Sequence, residues 1–227
     1  MISPVLSRGI GYGLGTAAGG AAAAVSWWLS GGVSASNAVA VYQPIGAASL
    51  AASYINLANP GTYNAAPGVA PSWASATGWG FDGSTQYLTT GVTVNANTWS
   101  MIVRFSGGIT TGDRCLCGNY QALATKDFSL WQITAGKTYY INNALLASAN
   151  YITAGILAMA GKKAYKNGND DGTIPVGEVT SAPVGVGRAG SGGYYFFGQI
   201  QGFAIYNATL TAPQVAAISA AMAALTG

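Results

Sequence analysis

The chain has 227 residues, which is long enough for one all-β domain with an appendage, and only 7% of them are charged, against roughly 25% in an average globular domain. Nine Lys and Arg against six Asp and Glu give a net charge of +3, but these residues form no basic stripe, so we expect no nucleic-acid ligand. The sequence contains no histidine, which removes the commonest general base and the commonest metal ligand.

The low charge also bears on assembly. A surface built of Gly, Ala, Ser, Thr and Asn carries little of the charge that keeps a monomer apart from its neighbours. Such a surface is often covered by other subunits. The composition therefore predicts a homo-oligomer or a component of a larger particle.

Residues 1–41 are predicted to form a Gly/Ala-rich arm that anchors the protein in an assembly. Residues 9–81 contain no charged side chain, and small residues spaced four apart let two backbones approach closely. The residues expected to make this contact are Gly9, Gly11, Gly13, Gly15, Trp27 and Trp28. Two alternatives stay open for the segment: a secretory signal cleaved near Ala35, and a membrane anchor.

Proline and glycine predict loops in the next part of the chain. The runs NPG at 59–61 and APG at 66–68, followed by Pro71, are typical of turns. We expect residues 59–76 to be mostly irregular.

Many short strands are predicted after this stretch. In residues 99–105, alternation places Met101, Val103 and Phe105 on one face, together with Trp99, and Arg104 on the other. Further strands are predicted at residues 128–133, 138–141, 156–159 and 164–165. Short strands separated by Gly-rich turns predict an all-β fold of two antiparallel sheets.

The chain is predicted to end in a helix over about residues 211–225. Thr211 and Gln214 have the spacing of a capping box, and Val215, Ile218 and Met222 form one apolar stripe. That stripe is expected to pack on the sandwich or on a neighbouring subunit.

Four segments carry a resemblance to a known family. They are SYINLANPGTY (53–63), FDGSTQYL (81–88), AYKNG (164–168) and FAIYNATLT (203–211). In order and spacing, residues 42–227 resemble the concanavalin A-like, laminin G-type jelly rolls, in particular those of tailed-phage and prophage structural proteins. The resemblance implies a jelly-roll sandwich with a role in attachment or glycan recognition on a virion or cell surface.

The same fold also hosts glycosidases, which carry a pair of carboxylates on one concave strand. The acidic residues of this chain are Asp82, Asp113, Asp127, Asp170, Asp171 and Glu178. No two of them lie two or four apart on a predicted strand, as a retaining pair about 5 Å apart requires. We therefore predict that the protein is not an enzyme.

Residues 167–178, NGNDDGTIPVGE, come close to the pattern of a calcium-binding loop. The candidate ligands are Asn167, Asn169, Asp171 and Glu178. The pattern departs at its first position, where Asn167 replaces an Asp, and its flanks are predicted strands. Asn167-Gly168 is also the strongest short signal for a β-hairpin. We predict a hairpin without a cofactor and keep calcium as the alternative.

Exposed aromatic side chains beside Asn residues are the features expected of a glycan site. The candidates are Tyr139, Tyr140, Asn142 and Asn143 in one hairpin, and Tyr194 and Tyr195 beside two glycines in another loop. Because adjacent strand residues face opposite sides of a sheet, we expect one Tyr of each pair to be in the core and the other half exposed.

These features predict a non-enzymatic virion structural protein at the virion surface, either a capsid decoration protein or a fibre-like host-attachment protein. Its jelly roll would present loops to a glycan, and its arm would contact capsid or tail proteins. A trimer is common for such appendages in the family that the chain resembles. The alternative is an extracellular bacterial surface lectin or adhesin, secreted or tethered.

Overall fold

The computed structural model describes residues 26–95, 97–108, 111–119, 127–133, 136–142, 144–149, 151–175, 179–190 and 193–227. Two antiparallel sheets form a sandwich, and one short helix lies at the C-terminal end. The predicted all-β fold class is therefore confirmed. The expected arm residues Gly9, Gly11, Gly13 and Gly15 lie outside the described residues.

The elements of the described residues follow one another in this order: two 3₁₀ helices (Trp27–Leu29 and Ala35–Asn37), β1 (Ala38–Tyr42), α1 (Leu50–Ser53), β2 (Ala66–Val69), β3 (Ser72–Ala74), β4 (Gly78–Asp82), β5 (Tyr87–Asn95), β6 (Ser100–Ser106), β7 (Arg114–Gly118), β8 (Phe128–Ile133), β9 (Lys137–Asn142), β10 (Leu145–Ser148), β11 (Gly155–Ala160), β12 (Lys163–Lys166), β13 (Asn169–Thr173), β14 (Val179–Val186), β15 (Phe197–Tyr206) and α2 (Ala212–Ala223). The strands predicted at 128–133, 138–141, 156–159 and 164–165 correspond to β8, β9, β11 and β12.

The strands divide into two sheets. The first has the order β13-β12-β11-β6-β15-β4-β3, and the second has the order β10-β9-β8-β7-β14-β5-β2. Strand β15 is ten residues long, so one of its edges pairs with β4 near Phe197 and with β1 near Tyr206. In each sheet some adjacent strands are consecutive in the chain, such as β11 and β12, and others are far apart in the chain, such as β6 and β15.

The main core lies between the two sheets. Met101, Val103 and Phe105 of β6 are fully buried there, on the face that alternation predicted, and they meet Leu130 and Tyr140 from the second sheet. Burial of apolar side chains such as these is the dominant favourable contribution to the free energy of folding.

Helix α2 covers the outer face of the first sheet. The Gln214 N–H donates to Thr211 Oγ1, and the Thr211 N–H donates to Gln214 Oε1, so the predicted capping box is present. Val215, Ile218 and Met222 are buried against the sheet, which confirms the predicted stripe. In the described part of the chain, no helix combines the length and the apolar character needed to cross a bilayer.

Trp27 and Trp28 lie beside this helix. Trp27 is only 2% exposed and its indole N–H donates to Gln43 Oε1 at 3.0 Å. The Tyr206 hydroxyl donates to the Trp28 carbonyl at 2.9 Å. Both tryptophans of the expected arm therefore pack against the sandwich of their own chain, because the first sheet offers an apolar outer face that α2 alone does not cover.

The stretch between residues 59 and 76 differs from expectation, because it contains β2 and β3. Both are edge strands, one in each sheet. Pro67 is tolerated in β2 because an edge strand leaves backbone positions that need no N–H donor. The run NPG at 59–61 lies in a turn as predicted, whereas the run APG at 66–68 was wrongly predicted as a turn and is part of β2.

Candidate functional site

The outer face of the second sheet carries an apolar cluster that no described helix covers. Cys115, Trp131, Ile133 and Ile141 are buried in this cluster together with Ala189, separately from the main core. Trp131 is only 3% exposed, and the solvent-exposed side chains beside this cluster are Leu145 and Tyr194, at 37% and 46%. An exposed apolar and aromatic patch on a sandwich is a feature of binding surfaces.

A cleft of about 180 Å³ lies over this cluster. We call it the aromatic cleft, and its lining residues are Asp113, Trp131, Ile133, Tyr139, Ile141, Leu145 and Tyr194. It brings together Tyr139 and Tyr194, which the sequence had offered as candidates in two separate loops.

Strand alternation explains why these side chains point outward. In β8, Phe128 and Leu130 face the main core, and Trp131 and Ile133 belong to the outer cluster. In the β8–β9 ladder Trp131 is directly opposite Tyr139. Because directly opposed residues of an antiparallel pair lie on the same face of a sheet, the two rings form one aromatic floor.

Tyr194 forms the wall of the cleft. Its ring meets the Trp131 ring edge-on, with ring centroids 5.0 Å apart and an angle of 68° between the planes, which is a favoured aromatic geometry. Tyr194 remains 46% exposed, so it is accessible from solvent.

The backbone of Tyr194 is held in an uncommon conformation. Its φ is +56°, in the left-handed region that bulky side chains rarely adopt. Its carbonyl accepts a hydrogen bond from the Cys115 N–H at 2.9 Å, which ties the loop to β7. Strained backbone of this kind costs roughly 1–3 kcal/mol and concentrates at ligand sites.

Asp113 supplies the carboxylate of the aromatic cleft, at the start of β7. Carboxylate oxygens accept hydrogen bonds from hydroxyl groups, and aromatic rings cover apolar C–H faces. The arrangement of one acceptor beside three aromatic side chains can bind a ring that is apolar on its face and polar at its edge.

Two other candidates from the sequence are not available to a ligand. Tyr140 and Asn142 are both 0% exposed. The Tyr140 hydroxyl donates to Asp171 at 2.9 Å, and the Asn142 amide donates to the Gly161 carbonyl at 3.0 Å. Their assignment to a glycan site was wrong, because both side chains of β9 point into the sandwich. Asn143 lies outside the described residues.

Tyr195 lies on the other side of its loop from Tyr194. It is half-buried, its ring centroid is 6.4 Å from that of Tyr87, and the Arg188 guanidinium carbon is 5.9 Å from its ring. The two tyrosines thus face opposite sides, but Tyr195 packs beside Tyr87 and Arg188 and not in the main core.

The residues of the calcium-like loop form a hairpin. Asn167 and Gly168 have φ values of +49° and +83°, as a two-residue turn of this hand requires. Asn167 Oδ1 accepts a hydrogen bond from the Ile156 N–H at 2.8 Å, and Asp171 is paired with Lys166 at 2.9 Å.

Two of the oxygens proposed as calcium ligands already have other partners in this hairpin, namely Asn167 Oδ1 and Asp171 Oδ2. Asn169 donates its amide to the Asn167 carbonyl, and Glu178 lies outside the described residues. Within the ranges that the structure describes, no cluster of three or more acidic, Cys or His side chains could hold a metal ion.

Sequence reasoning missed Trp131 and Asp113. The alternation in residues 128–133 places Trp131 opposite Phe128 and Leu130, which is a signal that it faces away from the core. That signal does not reveal the partner, because the pairing of Trp131 with Tyr139 depends on the register between two strands.

Comparisons with known proteins give structural neighbours only. No protein-family model matches the sequence, and no curated protein matches it significantly. The sandwich is similar to a Trypanosoma rangeli sialidase solved with 2,3-difluorosialic acid, at a TM-score of 0.57 and 13% identity over 82% of this chain and 32% of that chain. The chain thus spans about a third of the length of the sialidase.

Two further neighbours are binding domains or parts of enzymes. Domain 4 of AbnA, an extracellular arabinanase from Geobacillus stearothermophilus solved with arabinotriose, matches at a TM-score of 0.54 and 14% identity over 81% of this chain and 98% of that chain. The binding domain of botulinum neurotoxin serotype D matches at 0.55 and 10% identity over 82% and 51%. At these identities the likeness shows the fold, and function must be argued from the site.

Proposed function

We propose that this protein is a non-enzymatic carbohydrate-binding sandwich and that the aromatic cleft binds a sugar ring. The observation that carries the proposal is the convergence of Trp131, Tyr139 and Tyr194 with Asp113 around one cleft. A sugar ring presents C–H groups on its face and hydroxyls at its edge, so aromatic rings and a carboxylate together match both parts.

The size of the cleft limits what it accepts. Sites for drug-sized ligands are about 300–1,000 Å³, whereas the aromatic cleft measures about 180 Å³ and is open to solvent. It therefore accommodates a single ring or the end of an oligosaccharide, with the rest of the chain lying across the sheet.

The structural neighbours support this reading at the level of the fold. The AbnA domain was solved with an oligosaccharide and the neurotoxin domain is a binding domain. Neither likeness assigns a ligand to this chain, but both are consistent with a sandwich used for recognition.

The acidic residues support binding without hydrolysis. Asp170 and Asp171 are held by Lys163 and Lys166, and Asp82 accepts hydrogen bonds from its own loop. Among the described residues, Asp113 is the carboxylate that lines the aromatic cleft. A glycosidase of the usual kind requires two carboxylates across the scissile bond.

We also propose that the domain acts at a virion surface, as a decoration or host-attachment protein. The charge-poor sequence and the resemblance to phage jelly rolls support this placement, and a tethered bacterial lectin is the alternative. Cleavage near Ala38 would remove Trp27, which is 2% exposed in the outer cluster of the first sheet. Mass spectrometry of the native protein should therefore find an N-terminus ahead of Trp27, in a chain that co-purifies with particles; a mature N-terminus near Ala38 would favour the secreted lectin.

An immobilised glycan panel tests the binding function, with the Tyr194→Ala variant as the perturbation. Loss of the exposed ring should weaken binding of the preferred glycan roughly tenfold, which corresponds to about 1.4 kcal/mol of aromatic contact. Tyr63→Ala is a matched control, because Tyr63 is 45% exposed, has a φ of +55° and lies away from the cleft. No binding to any glycan, or equal losses in both variants, would contradict the proposal.

A further inference from the structure

Arg188 stacks on an aromatic ring at a second cleft. Its guanidinium carbon is 3.6 Å from the centre of the Tyr87 ring, so the ring covers one face of the planar cation. A cation so close to an aromatic face is fixed in orientation and attracted to the ring. Arg188 Nη2 donates a long hydrogen bond to the Gly190 carbonyl at 3.4 Å.

The other two described arginines use their donors for structure. Arg104 Nη1 donates to the carbonyls of Met222 and Leu225 at 2.6 and 2.8 Å. Arg114 donates to the carbonyls of Gly83 and Tyr195 at 2.8 and 3.0 Å. Among contacts between described residues, Arg188 therefore differs from both, because its guanidinium stacks on a ring and makes one long hydrogen bond.

Among the described residues, no acidic side chain forms an ion pair with Arg188. In the described part of the chain the ion pairs are Lys163 with Asp170 and Lys166 with Asp171. Arg188 instead opens onto a cleft of about 290 Å³, which we call the arginine cleft, lined by Tyr87, Thr89, Pro183, Gly185 and Arg188. Thr89 is exposed there and offers a hydroxyl group.

The position of the stacking ring is built into the sheet. A Cβ atom at Gly68 would lie 1.9 Å from the Tyr87 ring, so the absence of a side chain on β2 lets this ring lie over the strand. Gly68 thereby allows Tyr87 to hold Arg188 over the cleft.

The arginine cleft adjoins the aromatic cleft. Ala189 lines the arginine cleft and also belongs to the buried cluster under the aromatic cleft, with Trp131. The loop of residues 187–196 supplies Arg188 to one cleft and Tyr194 to the other. A ligand longer than one sugar unit can therefore reach both sides of the loop.

We infer that the arginine cleft binds the carboxylate of an acidic sugar, so that the preferred ligand is an acidic oligosaccharide with a neighbouring ring in the aromatic cleft. The inference rests on the proposed carbohydrate-binding function. A guanidinium fork matches the two oxygens of a carboxylate, and hydrogen bonds between charged partners are about twice as strong as neutral ones.

Titration calorimetry with matched probes tests the inference. The probes are 3′-sialyllactose and an oligoglucuronate, each compared with its neutral methyl ester, and a sulfated oligosaccharide of similar length. The wild-type protein should bind at least one acid about tenfold more tightly than its ester, as a charge-assisted hydrogen bond predicts, and the preference should weaken as salt rises.

Two variants distinguish recognition of the carboxylate from carbohydrate binding in general. Arg188→Met keeps an apolar chain over Tyr87 and should abolish the preference for the acid, so that the variant binds acid and ester with equal affinity. Tyr194→Ala should weaken binding of acid and ester by the same factor. Equal affinity for acid and ester in the wild type would overturn the carboxylate assignment while leaving carbohydrate binding intact.

Two other outcomes would contradict the inference. A preference for the sulfated probe over both acids would also overturn the carboxylate assignment. Absence of binding to every probe, neutral ones included, would overturn the proposed function and this inference together.

Discussion

Breaking the buried ion pair in the β12–β13 hairpin should destabilise the protein strongly. Lys166 Nζ lies 2.9 Å from Asp171 Oδ2, and the two side chains are only 10% and 8% exposed. Lys166 also donates to Ser148 Oγ at 2.9 Å, and the Tyr140 hydroxyl donates to Asp171 at 2.9 Å. The network thus joins the edge of the first sheet to β9 and β10 of the second.

Replacing Lys166 with Met removes the cation and leaves the Asp171 carboxylate buried. Breaking one partner of a buried pair costs about 3–5 kcal/mol. In a domain of this size each kcal/mol shifts the Tm by roughly 2–4 °C, so the lower bound corresponds to a fall of about 6–12 °C. Urea denaturation followed by tryptophan fluorescence, with a thermal scan, measures both quantities.

The adjacent ion pair provides a matched control. Lys163 and Asp170 are 3.0 Å apart in the same hairpin, but their side chains are 47% and 53% exposed. Because an exposed pair contributes about 0–1 kcal/mol, Lys163→Met should change stability by less than about 1 kcal/mol. Equal effects of Lys163→Met and Lys166→Met would refute the reasoning from burial.

The same pair predicts a pH dependence. Burial by itself would raise the pKa of Asp171, but hydrogen bonds from Lys166, Ser148 and Tyr140 lower it below its ordinary value. Its contribution to stability is therefore present above the unfolded pKa of about 3.9 and is lost as pH falls through the lower folded pKa. In Lys166→Met the buried carboxyl gains from protonation, so the stability gap between the two proteins should narrow below about pH 4.

Two further predictions concern the helix and the hairpin. Arg104 donates to the carbonyls of Met222 and Leu225, so Arg104→Met should cost about 1–3 kcal/mol and speed hydrogen exchange in α2; unchanged exchange there would show that the helix end does not depend on this contact. Because Asp171 is engaged by Lys166, millimolar calcium should leave the Tm unchanged, whereas a Tm that climbs with calcium concentration would establish a specific site.

Local sequence patterns determined the elements of this protein. The alternation in β6 and β8, the Asn167-Gly168 turn and the capping box at Thr211 each involve residues within a few positions of one another. Their outcome depends on backbone conformation and on which face of an element is apolar, and both properties are readable from neighbouring residues. The same local patterns identified Tyr139 and Tyr194 as candidates. They also predicted that the two tyrosines of each adjacent pair would face opposite sides.

Only the tertiary structure decided which of these side chains meet. Trp131 lies opposite Tyr139 through the register of two strands. Tyr194 contacts Trp131 because its carbonyl is bound to Cys115, which pairs with Trp131 in the sheet. Arg188 contacts Tyr87, which is about a hundred residues away along the chain. The Tyr87 ring lies over β2, which has no side chain at Gly68. Such contacts depend on non-local pairing and on which outer face is left uncovered, and no short sequence window contains that information.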